Sequence, residues 1–259
     1  MSKYRFPRPL MSAMGATVVA GAVLAASPAL ASSLSATTVS GAVQTSARAL
    51  TAPVNLGQTA SLSGARAEVS TYGQDVSNYQ ADHDWDASPA KFGIVKATEG
   101  LDFRDKAFAR HWSQLAKKGI VRGAYHFAHP ANNPIAEADF FLAVVNQQPA
   151  KPGDLLALDL ETTDGRSVSE VNAWAKAWLA RVQAKTGVKP MVYSSWNFAN
   201  TYGAGLAQYP LWVAFYSGGI VTPPADWKSW AIHQYSETPI DQDISTLTPD
   251  QLRALGRPA

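Results

Sequence analysis

The apolar run Leu155-Leu156-Ala157-Leu158 ends in Asp159-Leu160-Glu161. In an extended chain successive side chains alternate between faces, so both carboxylates emerge on one side, about 6 to 7 Å apart at the backbone. Like charges this near raise at least one pKa, which is how a protein keeps a carboxylic acid protonated and ready to donate. By itself, D-x-E fits a structural ion pair or a metal site equally well. Two further acids stand at comparable places: Asp75 at the end of the first predicted strand and Asp241 at the start of the last. Asp75 also reads as a turn or cap acid before Ser77 and Asn78. Cleaving a glycosidic bond requires a carboxyl group to protonate the leaving oxygen and negative charge beside an oxocarbenium-like carbon. A convergent acid set supplies both.

Aromatic residues end the same predicted strands: Tyr125, Phe127, Tyr193, Trp196, Tyr216 and Tyr235. Sugar rings stack on such faces, although Tyr and Trp also bury well in a core with a polar tip outward. Tyr125, Tyr193, Trp196 and Tyr235 are the candidate substrate-binding residues. The five histidines offer no metal site, because neither His126-x-x-His129 nor Asp82-His83-Asp84 has zinc-ligand spacing and no H-E-x-x-H occurs. No G-x-S-x-G elbow and no cysteine is present, so serine or cysteine nucleophiles lack their central residue. No cofactor is expected.

These residues must be positioned by regular elements. Short β-rich runs lie at Gly73 to Ser77, Phe92 to Thr98, Val121 to Ala128, Leu155 to Glu161 and Pro190 to Ser195. Between them Phe108, Trp112 and Leu115 fall at helical spacing before Lys117-Lys118-Gly119, a basic last turn and a glycine stop. Ile135, Ala138, Leu142 and Val145 form a second helical stripe. Val168, Val171, Ala175, Trp178 and Val182 form a third, opened by the capping-box pattern Ser167-x-x-Glu170. Such alternation predicts parallel strands joined by helical crossovers. Beyond Tyr202, Leu211 to Tyr216, Trp230 to Tyr235 and Asp241 to Ser245 read as strands whose connections are too short or too rich in proline for helices. The α/β chain is therefore expected to form a TIM-like β/α barrel of about eight strands with its last helices missing. An open doubly wound sheet fits less well, since no glycine-rich phosphate turn follows the first strand.

Composition frames the rest. Lys3, Arg5 and Arg8, the apolar stretch Met11 to Ala26 and the triplet Ala29-Leu30-Ala31 have the layout of a secretory signal peptide over residues 1–31. Residues 32–70 are Ser, Thr, Ala, Gly and Val with almost no charge, a composition suited to a flexible linker or propeptide. All eight tryptophans fall in residues 71–259, the expected single catalytic domain. The whole chain has 22 basic and 20 acidic residues, but five of the basic ones and Glu68 precede that block, leaving 17 and 19 within it. With no basic cluster interleaved with aromatics, nucleic acid is excluded as a partner. Once the leader is removed, no membrane-spanning stretch remains. Without cysteine, the exported domain must be held by its core alone.

The segments Gly73-Gln74-Asp75-Val76-Ser77-Asn78-Tyr79-Gln80, Val95-Lys96-Ala97-Thr98-Glu99-Gly100, Gly123 to Phe127, Leu158 to Glu161 and Gln234-Tyr235-Ser236 occur in the order found in glycoside hydrolase family 25, the Chalaropsis-type lysozymes, which this chain resembles. The resemblance spans nearly all of Tyr72 to Ser245. It implies a β/α barrel lacking its final helices, and hydrolysis of the β-1,4 bond between N-acetylmuramic acid and N-acetylglucosamine in peptidoglycan, with retention of configuration. Together with the leader, this makes the expected protein a secreted monomer acting on peptidoglycan glycan strands. Glu161 matches the family's general acid/base. Asp159 matches the acid that serves either as nucleophile or as the group steering the substrate's 2-acetamido oxygen. Asp75 and Asp241 match two further acids of the cleft. The sequence departs from the pattern at His233, where Trp is frequent, at Asp243, where Asn is frequent, and in the short link Glu237-Thr238-Pro239-Ile240. A non-catalytic wall-binding barrel and a metal-dependent hydrolase remain the competing readings.

Overall fold

The computed structural model describes residues 71–218 and 221–259. The expected leader and linker lie outside the described residues. Strand and helix alternate as β1 (Thr71–Val76), β2 (Phe92–Glu99), β3 (Phe103–Arg104), α1 (Phe108–Lys118), β4 (Val121–Phe127), α2 (Pro134–Val145), β5 (Leu155–Asp159), α3 (Val168–Thr186), β6 (Met191–Ser195) and α4 (Trp196–Tyr202). They continue as β7 (Leu211–Ala214), β8 (Ile232–Ser236), β9 (Asp241–Ser245) and α5 (Pro249–Arg253).

The sheet closes on itself. Its order is β1-β9-β8-β7-β6-β5-β4-β2, with β1 and β2 also paired, so eight strands form a barrel and β3 folds back on β2 as a short extra strand. Within the barrel pairing is parallel except at β9, which runs antiparallel between β8 and β1, and the short β3 pairs antiparallel with β2. The expected barrel of about eight strands is thereby found, with parallel pairing where helices cross over and an antiparallel last strand. The cause is the missing helix. Antiparallel neighbours can be joined by a tight turn, whereas a parallel return needs a crossover of a dozen or more residues, and only Glu237–Ile240 separates β8 from β9.

Local sequence accounts for the helix ends. Ser167 caps α3 by accepting from the Glu170 backbone N–H while the Glu170 carboxylate accepts from Ser167 N. Gly119 and Gly187 end α1 and α3 in the left-handed conformation that glycine adopts at least cost. The two buried clusters follow the period of two. Phe92, Ile94, Val121, Tyr125, Leu155, Ala157, Met191, Tyr193, Trp212 and Ile232 point into the barrel, whereas Val95, Ala124, Leu156, Leu158, Val192 and Val213 point outward beneath the helices. Gly73 has no room for a side chain, since an added Cβ would lie 2.2 Å from the Phe92 ring. That ring therefore fills the barrel beside β1.

A buried charge pair secures the N-terminal ends of β4 and β5. Arg122 donates to Asp154 through Nε at 2.7 Å and one terminal nitrogen at 2.9 Å, donates to Pro149 O at 2.8 Å, and stacks over Trp112 at 4.1 Å. Removing one partner of such a pair strands the other charge, at a cost of about 3 to 5 kcal/mol. Asp154→Ala is therefore expected to lose stability on that scale, measured as the shift of the urea midpoint. A loss below about 1 kcal/mol would show that the stranded guanidinium finds water.

Candidate active site

The carboxyl groups collect at the C-terminal ends of the parallel strands, where a barrel of this kind builds its site. Strand β5 ends at Asp159, two residues earlier than predicted, but Leu160 keeps the pleat because its N–H donates to Tyr193 O at 2.9 Å and its carbonyl accepts from Ser194 Oγ at 2.7 Å. The alternation thus carries through to Glu161. Asp159 is 5% exposed, while Glu161 is half-buried. No N–H or hydroxyl donor reaches Asp159 Oδ1. The Asp159 pKa is pushed well up by burial first, then by the charge of Glu161 and a hydrogen bond between the two carboxyls. The pair is thus poised to hold a proton.

On the far side of the barrel a second group forms. Asp75 of β1 stands opposite Asp241 of β9 in the antiparallel register, and Asp243 follows two residues later on the same inward face. Asp75, Asp241 and Asp243 are all buried. Burial first, then the charges of Asp243 and Asp241, push the Asp75 pKa well up despite a hydrogen bond from Gln234. Gln234 fixes this corner from both ends: its Nε2 donates to Asp75 Oδ2 at 2.7 Å, while its Oε1 accepts from Tyr193 at 2.9 Å and from Tyr216 at 2.5 Å.

Tyr125 and Tyr193 lie between the two groups and flank Trp212, with ring centroids 6.3 and 4.5 Å from it. Burial chiefly raises both phenol pKa values. Asp75, Asp159 and Asp241 add to the effect at Tyr125, and Glu161, Tyr216, Asp159 and Asp75 at Tyr193. Asp75, Asp159, Glu161, Asp241, Tyr125 and Tyr193 are thereby brought together. Trp196 and Tyr235 are not. The Trp196 indole N–H is spent on Thr222 O at 2.7 Å and its ring packs toward Phe215, while Tyr235 sits at the bulge between Gln234 and Ser236 with its ring 6.3 Å from that of His233. His233 itself bonds Phe215 O at 2.8 Å and packs on Trp230.

The structure adds residues that the sequence reading did not assign to the site: Gln234, Tyr216 and Asp243, and a charged rim on the β2 and β4 side. Lys96 continues the inward row of Phe92 and Ile94 and pairs with Glu99 at 2.6 Å. His129 bridges Glu99 at 3.2 Å and Asp164 at 3.1 Å. Burial alone would lower the His129 pKa, but the hydrogen bond to Glu99 and the charges of Asp164 and Glu99 raise it. Burial would raise Glu99, yet Lys96 and His129 bring it down. By contrast His126 is a core histidine, held between Thr98 at 2.8 Å and Glu137 at 2.7 Å. Among the described residues no group of three or more His, Asp or Glu side chains is arranged to hold a metal ion. Nor is any helix there long and apolar enough to cross a membrane.

The profile of the family described as "Glycosyl hydrolases family 25" matches residues 74–244. The N,O-diacetylmuramidase of Arthroderma benhamiae is 33% identical over 204 residues, covering 69% of this chain and 84% of that protein. A family GH25 lysozyme structure from Aspergillus fumigatus superposes with a TM-score of 0.67 at 31% identity, over 73% of this chain and 99% of that one. A bacterial lysozyme structure from Streptomyces coelicolor gives 0.67 at 29% identity, over 72% and 96%.

The electrostatics carry a stability signature. A carboxyl whose folded pKa is raised contributes its full stabilisation below the unfolded value near pH 4 and loses it as pH climbs toward the folded value. The amide introduced by Asp159→Asn does not titrate and has nothing to lose. The variant's melting temperature relative to wild type should therefore rise between pH 4 and pH 8, by about 2 to 4 °C for each kcal/mol recovered. A difference constant across that range would mean that Asp159 ionises as freely in the folded protein as in the unfolded chain.

Proposed function

The chain belongs to glycosyl hydrolase family 25 and is a glycoside hydrolase, and from that premise we propose that it hydrolyses the β-1,4 bond between N-acetylmuramic acid and N-acetylglucosamine in bacterial peptidoglycan, with Glu161 as general acid/base. The observation that carries this reading is the Asp159–Glu161 pair, two interacting carboxyls on one face at the strand ends of the barrel.

In this reaction the half-buried Glu161 faces the cleft and delivers the pair's proton to the glycosidic oxygen as the bond breaks, which leaves the deeper Asp159 as the carboxylate beside the anomeric carbon. Asp159 does this either by attacking that carbon or by holding the substrate's acetamido group so that its oxygen attacks. In both cases a second displacement by water, with Glu161 now as base, returns the original configuration. Tyr125 and Tyr193 support the acids from below and Asp75 and Asp241 line the opposite wall. Tyr216, 48% exposed and anchored by its hydroxyl to Gln234, offers a ring to the sugar in place of Trp196 and Tyr235.

The leader-like residues 1–31 support export to the compartment where the wall lies, with residues 32–70 as linker or propeptide to the catalytic domain at 71–259. Closure of the eight strands removes the open sheet edges through which copies could pair, which supports a monomer.

Purified protein incubated with peptidoglycan should release new reducing ends, with the β-anomer formed first by proton NMR. Glu161→Gln should lose about 10²- to 10⁴-fold of that rate with its circular dichroism unchanged, because an amide cannot deliver the proton. Wall binding by wild type without turnover would instead support a carbohydrate-binding barrel. Full activity in Glu161→Gln would remove Glu161 from its role.

A further inference from the structure

Asp243 is fully buried, with 0% of its surface exposed, on the inward face of β9. Its Oδ1 accepts from the Trp212 indole N–H at 2.9 Å, but no N–H or hydroxyl donor reaches its Oδ2. Its diagonal neighbour on the inward face is the buried Asp75, one same-face step along β1, and the two carboxyls act directly on each other. Two carboxylates cannot hydrogen-bond to each other, since ionised oxygens only accept. A contact between two buried carboxyls therefore holds at least one proton between them.

The groups around this contact add no compensating positive charge. From β1 comes Asp75 itself, with Tyr72 on the strand's other face; from β9 comes Asp241; from β8 comes the neutral Gln234; from β7 comes Trp212 and from β6 Tyr193. Phe92 fills the barrel interior beside Gly73, the residue opposite Asp243 in the register. Among the described residues two N–H donors serve the pair, Gln234 Nε2 on Asp75 and Trp212 Nε1 on Asp243.

We propose that Asp243 is a positioning residue that shares one proton with Asp75, so that the pair carries a single negative charge and Asp75 is held in register beneath the cleft. The inference rests on the muramidase reading only for its effect on turnover. Ionisation of both members would set two buried charges side by side next to Asp241, and the pair would separate or take in water. Burial, the largest effect, pushes the Asp243 pKa up to about 8, with the hydrogen bond from Trp212 and the contact with Asp75 opposing it and Asp241 adding to it, while the same contact pushes Asp75 further up. The last shared proton is therefore lost on the alkaline side.

Asp243→Asn tests this directly. Its amide can donate to Asp75 and its oxygen can accept from Trp212, and it does not titrate. The pH profile of kcat/KM on peptidoglycan should show an alkaline fall in wild type that moves up by at least one pH unit in Asp243→Asn. Asp243→Ala, which leaves Asp75 without its partner, should lose at least tenfold on the acid side, where Asp243→Asn stays within a few-fold of wild type. Independently of turnover, carbon-13 NMR of aspartate-labelled protein should show a carboxyl titrating near neutral to alkaline pH in wild type, and one fewer such step in Asp243→Asn. An unshifted alkaline limb, or persistence of every high-pH carboxyl step in Asp243→Asn, overturns the shared proton. Loss of that step with no turnover in any form, wild type included, upholds the pair and overturns the muramidase reading instead.

Discussion

Carboxyl groups packed against one another in the dry upper end of a closed barrel impose the constraint from which the rest of the structure follows. Asp159 meets Glu161, and Asp75 meets Asp243, in places where desolvation makes each negative charge costly. Such groups persist only if protons are shared or donors are aimed at them. The barrel does both. Gln234 and Trp212 direct N–H groups at Asp75 and Asp243, and Tyr125 and Tyr193 fill the space between the two pairs with rings whose phenols stay protonated. Stability is given up at the site, and the cysteine-free core beneath it must make up the difference.

Much of this is legible in the sequence because strand geometry is a rule of parity. The period of two alone places Asp159 and Glu161 on one face, and the same rule holds even though β5 formally ends at Asp159. It also separates the inward row Leu155, Ala157, Asp159 from the outward row Leu156, Leu158. Helix ends are equally readable, since Ser167, Gly119 and Gly187 act through local backbone chemistry that needs no tertiary partner. The lack of helical crossovers after α4 is visible in prolines and short links, and the closed barrel with its antiparallel last strand follows from it.

What escapes the sequence is whatever depends on register between distant strands. Asp243 faces inward by the same parity as Asp241, so the signal exists, but its partner Asp75 lies at the other end of the domain and is fixed only by the antiparallel pairing of β9 with β1. Gln234 reads as part of a motif, while its value lies in having two chemically different ends that satisfy an acid and two phenols at once. Tyr235 is hard to place from sequence for another reason: a bulge between Gln234 and Ser236 interrupts the alternation there, and the ring packs on His233. Trp196 ends a strand in sequence yet begins α4, and its indole closes the loop at Thr222. The rim of Lys96, Glu99, His129 and Asp164 gathers segments that no local pattern could join.

The two ends of the barrel show how placement of cations decides what a buried acid does. At the N-terminal end Asp154 is as buried as the acids above, but Arg122 meets it with a two-pronged contact and the guanidinium's remaining donors reach the Pro149 and Trp112 carbonyls. That acid is an anchor, committed to its cation and spent on structure. At the C-terminal end the nearest cation, Lys96, is committed to Glu99 and is only the fourth influence on Asp159, after burial and the two contributions of Glu161. Acids there keep protons that they can give away. A cation inserted beside Asp159 would turn the upper end into a second copy of the lower one, better held and chemically inert. The fold thus commits Arg122 to Asp154 where strands begin, and where they end it spends Lys96 on Glu99 at the rim rather than on Asp159, an asymmetry that supports the proposed role of that end more than the D-x-E spacing alone.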